Sequence, residues 1–164
     1  MPNAYVAVRF AFGPAFPDTP ANQRAARATV ETLAAAQPVV LLNMGFSLDG
    51  LDELDPGPLA NVWRIDTAAT PATGLLVQSA VVGRASRFVG TFGSLACLAV
   101  AYGVPARTIY SDTSGATPAL LDAMRRTAAA LRTEAVPLHV RDLEASTHGG
   151  ALASRSEAIF SGTE

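Results

Sequence analysis

Short apolar runs alternate with longer amphipathic stretches along most of the chain. Tyr5–Phe10 reads as a strand, and Ala21–Ala36 has the spacing of an amphipathic helix. Pro38–Asn43 is almost wholly apolar, the pattern of a strand covered on both faces. A loop rich in Asp, Gly and Pro follows over Gly45–Leu59, then a short strand at Val62–Asp66 and a helical pattern over Pro71–Arg84. Beyond it the spacing predicts strand Arg87–Val89, helix Ser94–Tyr102, strand Arg107–Tyr110, helix Pro118–Ala135 and strand Leu138–Val140.

Six strands separated by helices or crossovers of this length predict an α/β fold: a doubly wound, mainly parallel, Rossmann-like sheet with helices on both faces. The domain is expected to cover 1–143. From about Glu144 the periodicity is lost and Ser, Gly and Thr accumulate, so 144–164 reads as a flexible C-terminal tail with one short turn docking around Ala158–Phe160. A sheet of this kind takes ligands beyond the carboxyl ends of its strands, near the point where strand order reverses. The segments to inspect are therefore Phe10–Asp18, Asn43–Phe46, Asp66–Thr70, Gly90–Ser94 and Ser111–Gly115.

Composition narrows the chemistry. The chain has 164 residues, 49% of them hydrophobic with few aromatics, which suits one domain packed mainly by Ala, Val and Leu. All 12 basic residues are Arg, which excludes a Walker lysine and Schiff-base chemistry. A net charge of −2 without a basic block argues against a nucleic-acid partner. No apolar run reaches the roughly 20 residues of a membrane span, and no export signal is recognised, so a cytoplasmic protein is expected. Cys97 is expected to be a small buried residue, and the two histidines, His139 and His148, make no metal constellation.

The densest candidate chemistry lies in Gly90-Thr91-Phe92-Gly93-Ser94, a turn between a strand and a helix of small residues. Glycines at 90 and 93 let the backbone approach a ligand, Ser94 can cap the helix, and free N–H groups at its start suit a phosphate. The same segment also reads as a tight turn with no ligand. Arg9, closing the first strand, reads either as a phosphate ligand or as the partner of Asp112 or Asp18 across the strand ends. Asp66 is placed to contact a base or ribose. Asp112 reads equally as a ligand for a sugar hydroxyl and as the cap of the turn to Gly115. Gln78 either holds a loop or reaches the ligand, and either Thr19 or Asn22 caps the first helix. No Ser/His/Asp arrangement, carboxylate pair suited to glycoside hydrolysis, or dinucleotide-binding glycine motif after the first strand is visible.

The segment Val89-Gly90-Thr91-Phe92-Gly93-Ser94, with Leu98-Ala99 and Tyr102-Gly103-Val104-Pro105, resembles the C-terminal, donor-binding half of GT-B-fold glycosyltransferases. It is nearest to the group of α-1,6-fucosyltransferases and the nodulation fucosyltransferase. Val6-Ala7-Val8-Arg9-Phe10 is similar to that group's His-Val-Arg-Arg strand, which implies that Arg9 contacts the donor diphosphate. The family's histidine is Ala7 here, its second arginine is Phe10, and one serine of its turn is Gly93. The resemblance implies a nucleotide-diphosphate sugar as substrate, no resident cofactor, and metal-independent transfer completed by an acceptor-side domain or a second copy. Two readings stand beside it: a non-catalytic α/β nucleotide-binding or assembly module, and a relative of the sugar-nucleotide epimerases.

Overall fold

The first strand is buried on both faces, and the sheet grows outward from it in both directions. The computed structural model describes residues 2–43, 50–65 and 70–141. In chain order its elements are β1 (Val6–Arg9), β2 (Ala11–Phe12), α1 (Pro20–Ala36), β3 (Val39–Leu41), β4 (Asp52–Glu53) and β5 (Val62–Arg64). Then come α2 (Pro71–Val82), β6 (Arg87–Thr91), α3 (Ser94–Ala101), β7 (Ala106–Tyr110), α4 (Pro118–Ala130) and β8 (Ala135–His139).

Six strands form one sheet in the order β5-β3-β1-β6-β7-β8, and every pairing in it is parallel. This is the expected α/β, Rossmann-like arrangement. Strand order reverses between β1 and β6, where Arg9 pairs with Gly90. Period-2 alternation divides the core between the two faces. Val6, Val8, Val39 and Leu41 meet Val30 and Leu33 of α1 on one side. Ala7, Val40, Phe88 and Ala106 meet Val82 of α2, Ala99 of α3 and Met124 of α4 on the other.

Three helices open in the same way, with a threonine N-cap followed by proline in the first turn: Thr19-Pro20, Thr70-Pro71 and Thr117-Pro118. Thr19 rather than Asn22 caps α1, its hydroxyl accepting the Asn22 N–H at 3.2 Å. Asn22 is buried and instead donates through Nδ2 to the Pro17 carbonyl and the Ser111 hydroxyl, both at 2.8 Å. That tie joins the start of α1 to the end of β7. Gln78, also buried, donates to the Leu42 carbonyl at 2.8 Å and so fixes the segment leaving β3.

Three features depart from the sequence reading. Strand β6 runs on to Thr91. Helix α4 stops at Ala130 rather than Ala135, and Ala135–His139 forms the last strand. The helix ends because Arg132 takes a left-handed conformation, φ 54°, with Thr133 N–H bonded to the Ala128 carbonyl and Arg132 N–H to that of Ala129. This is the Schellman exit normally marked by glycine, as Gly103 (φ 74°) marks it after α3. Strand β8 tolerates Pro137 because it is an edge strand. The third departure is a two-stranded antiparallel ribbon, β2 with β4, in segments read as loops. The expected tail, 144–164, lies outside the described residues.

The Arg132 conformation carries a testable cost. A non-glycine residue in the left-handed region is strained by about 1–2 kcal/mol. Part of that should be recovered by Arg132→Gly, so the variant is expected to melt higher than the parent in a thermal denaturation. An unchanged or lower melting temperature would show that the arginine side chain offsets the strain.

Candidate functional site

At the reversal of strand order, the strand ends, the ribbon and the start of α3 enclose a cleft of ≈ 240 Å³. Phe92, Gly93, Ser94 and Leu95 form one wall, and Ala11, Gly13, Pro14 and Ala15 form the wall opposite. Arg9 and Thr91 reach it from the ends of β1 and β6. Five of the residues expected at the site, Arg9, Thr91, Phe92, Gly93 and Ser94, therefore come together.

The opposite wall is held by backbone contacts. Gly13 and Phe16 bond to each other in both directions at 2.9 and 3.0 Å, closing a tight turn. The loop after β7 grips that turn: Ser111 N–H donates to the Ala15 carbonyl at 2.9 Å, and the Ser114 hydroxyl to the Pro14 carbonyl at 3.3 Å. Gly115 makes this approach possible, since a Cβ there would sit 2.4 Å from the Ala15 nitrogen. Thr91 ties the floor together, its hydroxyl accepting the Ala11 N–H at 3.2 Å.

The two glycines of the turn differ in role. A Cβ on Gly90 would lie 1.9 Å from the Arg9 carbonyl oxygen, so its missing side chain makes room for strand β1. Gly90 does not line the cleft. Gly93 does, and a Cβ there would meet nothing within 4 Å. Its backbone is extended, φ 170°, a conformation open to any residue. Gly93 is also the N-cap of α3, with no side-chain cap bond, which corrects the reading of Ser94 as the cap. Ser94 is instead the first helical residue. The first N–H groups of an α-helix lack intrahelical acceptors, and the helix dipole adds positive potential there. α3 has no acidic residue in its first turn to answer that potential.

Arg9 has a partner that sequence reasoning did not anticipate. Its Nε donates to Glu53 Oε1 at 2.6 Å, and the two side chains are only 9% and 12% exposed. The partners expected were Asp112 or Asp18, and both are engaged otherwise. Asp18 accepts from Gln23 Nε2 at 2.6 Å. Asp112 accepts the Ser114 N–H at 2.7 Å, capping its own turn, and that bond holds its carboxyl below the usual carboxylate range. Asp112 does not line the cleft. Asp66 lies outside the described residues.

Cys97 is exposed on α3, contrary to the expectation of burial. Desolvation nonetheless pushes its thiol pKa upward, which disfavours the reactive thiolate. Among the described residues no three His, Cys, Asp or Glu side chains gather where they could hold a metal ion, and no helix is long and apolar enough to cross a membrane.

The arrangement suits a small anion: N–H donors at a helix start, and beside them Arg9, already paired with Glu53. Glu53 was not legible as a participant, because two-residue strands leave no periodicity. No family model, curated protein or solved structure matches the chain.

Proposed function

We propose that this chain is the donor-binding domain of a glycosyltransferase. It recognises a nucleotide-diphosphate sugar, and transfer becomes possible when a second domain or partner supplies the acceptor side. The observation that carries this reading is the cleft at the reversal of strand order, with Arg9 and the start of α3 on its walls. In sugar transfer the main electrostatic task is to stabilise the departing diphosphate. N–H groups of the first turn of α3 suit that task, since they are donors fixed before the ligand arrives, and Arg9 adds a positive charge beside them that Glu53 offsets in part.

Size supports a division of labour. Pockets that bury a whole drug-sized ligand run to about 300–1,000 Å³. A cleft of ≈ 240 Å³ fits the diphosphate better than a complete sugar nucleotide. The sugar and acceptor would then be enclosed by a second lobe, and this chain alone is expected to bind the donor weakly and turn it over poorly.

A thermal-shift screen against GDP-, UDP-, dTDP- and ADP-linked sugars tests the reading, because ligand binding to the native state raises the melting temperature. At least one is expected to do so. Gly93→Val should remove the shift while costing the unliganded fold only about 1 kcal/mol for a poorer helix cap, since the new side chain enters open space in the cleft. Robust multiple-turnover transfer by the isolated chain would contradict the half-site proposal.

One observation favours an assembly module as a second reading. Helix α2 carries no charged residue, yet Leu75 and Leu76 are 56% and 70% exposed on it. Adjacent exposed leucines on an uncharged helix are what a partner surface would cover. Absence of any shift with every sugar nucleotide at millimolar concentration would favour this reading.

A further inference from the structure

We infer that the segment of this chain beyond Arg141 folds back over the α1 side of β6, β7 and β8, laying apolar residues on Val136 and Leu138 and carboxylates beside Arg87 and Arg107. The inference is independent of how the cleft is read.

A parallel sheet is ordinarily covered on both faces. Here the described helices divide unevenly. α3 packs on β6 and β7 and α4 packs on β8, all from one side, whereas α1, on the other side, packs on β3. Register shows what that second side presents beyond α1. Arg107 pairs with both Val89 and Val136, and Ile109 pairs with Leu138. Val89 and Ile109 belong to the core on the α1 side, so Arg107, Val136 and Leu138 share their face, as does Arg87 two residues before Val89. Val89 and Ile109 are buried, but Arg87, Arg107, Val136 and Leu138 are only partly so. Val136 and Leu138 join none of the core clusters of the described residues.

The charge of this face is also distinctive. Burial lowers the pKa of both guanidinium groups, and the positive charge of Arg107 lowers that of Arg87 further, while Glu134 acts the opposite way on Arg107. A cover suited to such a face is apolar and acidic.

The chain itself leads such a cover to the place. Strand β8 ends at His139, and Val140 and Arg141 are helical. The Arg141 N–H donates to His139 Nδ1 at 3.2 Å, as a first-turn N–H does to a capping side chain. Val140 is 7% exposed and packs in the core on the α1 side, so the chain leaves β8 already turned onto the open face. The sequence that follows carries Leu152, Ile159 and Phe160, and sets Asp142, Glu144, Glu157 and Glu164 against Arg155 alone. Reach is ample. Even as one helix, 142–159 would span about 27 Å, against about 10 Å from β8 across to β6. A tethered segment also competes at a high effective concentration, which favours it over a separate partner.

Thiol labelling of the full chain tests the inference. Val136→Cys, with Cys97→Ser removing the native thiol, places a reporter on the face, and a maleimide reads its accessibility after a thermal melt establishes folding. Adding Ile159→Asp and Phe160→Asp is expected to speed labelling at position 136 by about tenfold or more. The same two substitutions in the chain that keeps Cys97, exposed on α3 across the sheet, should leave labelling there unchanged. If the aspartate variant unfolds, Ile159→Ala with Phe160→Ala replaces it, and if Val136→Cys unfolds, Leu138→Cys carries the reporter.

Rates at position 136 within about twofold of each other, with and without the tail substitutions, would overturn the inference. So would labelling that slows as protein concentration rises, which would assign the cover to a second copy. An effect at Cys97 larger than that at position 136 would place the segment on the α3 side and overturn it equally.

Discussion

Gly90→Ala is expected to destabilise the chain by about 3 kcal/mol or more, the upper end of what overpacking costs. The reason is where the new atom would fall. A Cβ at position 90 would lie 1.9 Å from the Arg9 carbonyl oxygen and 2.9 Å from the Arg9 carbonyl carbon. Both are backbone atoms of the neighbouring strand, and no rotamer change can move them. Relief requires β1 and β6 to part at Arg9↔Gly90, next to the cleft. A domain of this size is stable by only about 5–15 kcal/mol, so a substantial fraction of the native free energy is at stake. Chemical denaturation followed by circular dichroism measures the loss. A change under about 0.5 kcal/mol, the range of an ordinary surface substitution, would show that the strands separate easily there.

The second large effect concerns Arg9. Arg9→Ala alone leaves the Glu53 carboxylate buried without this partner, and breaking such a pair costs about 3–5 kcal/mol of stability. Binding measured on that variant would confuse folding with recognition. The double variant Arg9→Gln/Glu53→Gln replaces the ion pair by two neutral amides and is expected to remain folded. Its affinity for a nucleoside diphosphate should fall by about 1.5–3 kcal/mol, the value of a charge-assisted hydrogen bond to phosphate, with little change for the matching nucleoside. Equal losses for the two, by calorimetry on folded protein, would assign Arg9 a structural role alone.

Much of this fold was legible because its signals are repetitive. The strands at Tyr5–Phe10 and Pro38–Asn43 are apolar along nearly their whole length, as central parallel strands must be, and they became β1 and β3. The helical patterns beginning at Pro71 and Pro118 became α2 and α4 with those same first residues. The errors fall where the chain supplies no periodic or special residue. Arg132 closes α4 in a conformation that normally calls for glycine, so nothing in the sequence marked the exit before Ala135. Cys97 was misplaced because Ser94–Ala101 has no charged residue to show which face meets solvent.

The candidate site was legible in its position and only partly in its wiring. Gly90–Ser94 and Arg9 do meet at one strand edge, as register and topology require. The sequence does not distinguish a glycine that admits a neighbouring strand from one that faces open space, and Gly90 and Gly93 prove to be one of each. Glu53 escaped notice because its strand is two residues long and lies 44 residues from Arg9 along the chain. Long-range pairing of this kind is set by how the ribbon folds back, which local pattern does not encode.

The most direct measurement is a two-dimensional 1H–15N nuclear magnetic resonance titration of the full chain with inorganic pyrophosphate and with GDP and UDP. The account predicts that the largest amide shifts fall on Gly93, Ser94, Leu95 and Ala96, with smaller changes at Ala11 and Gly13 across the cleft, and that Gly93→Val abolishes them. Largest shifts elsewhere, such as along Arg24–Arg27 of α1, or no shift with any of the three at millimolar concentration, would contradict it.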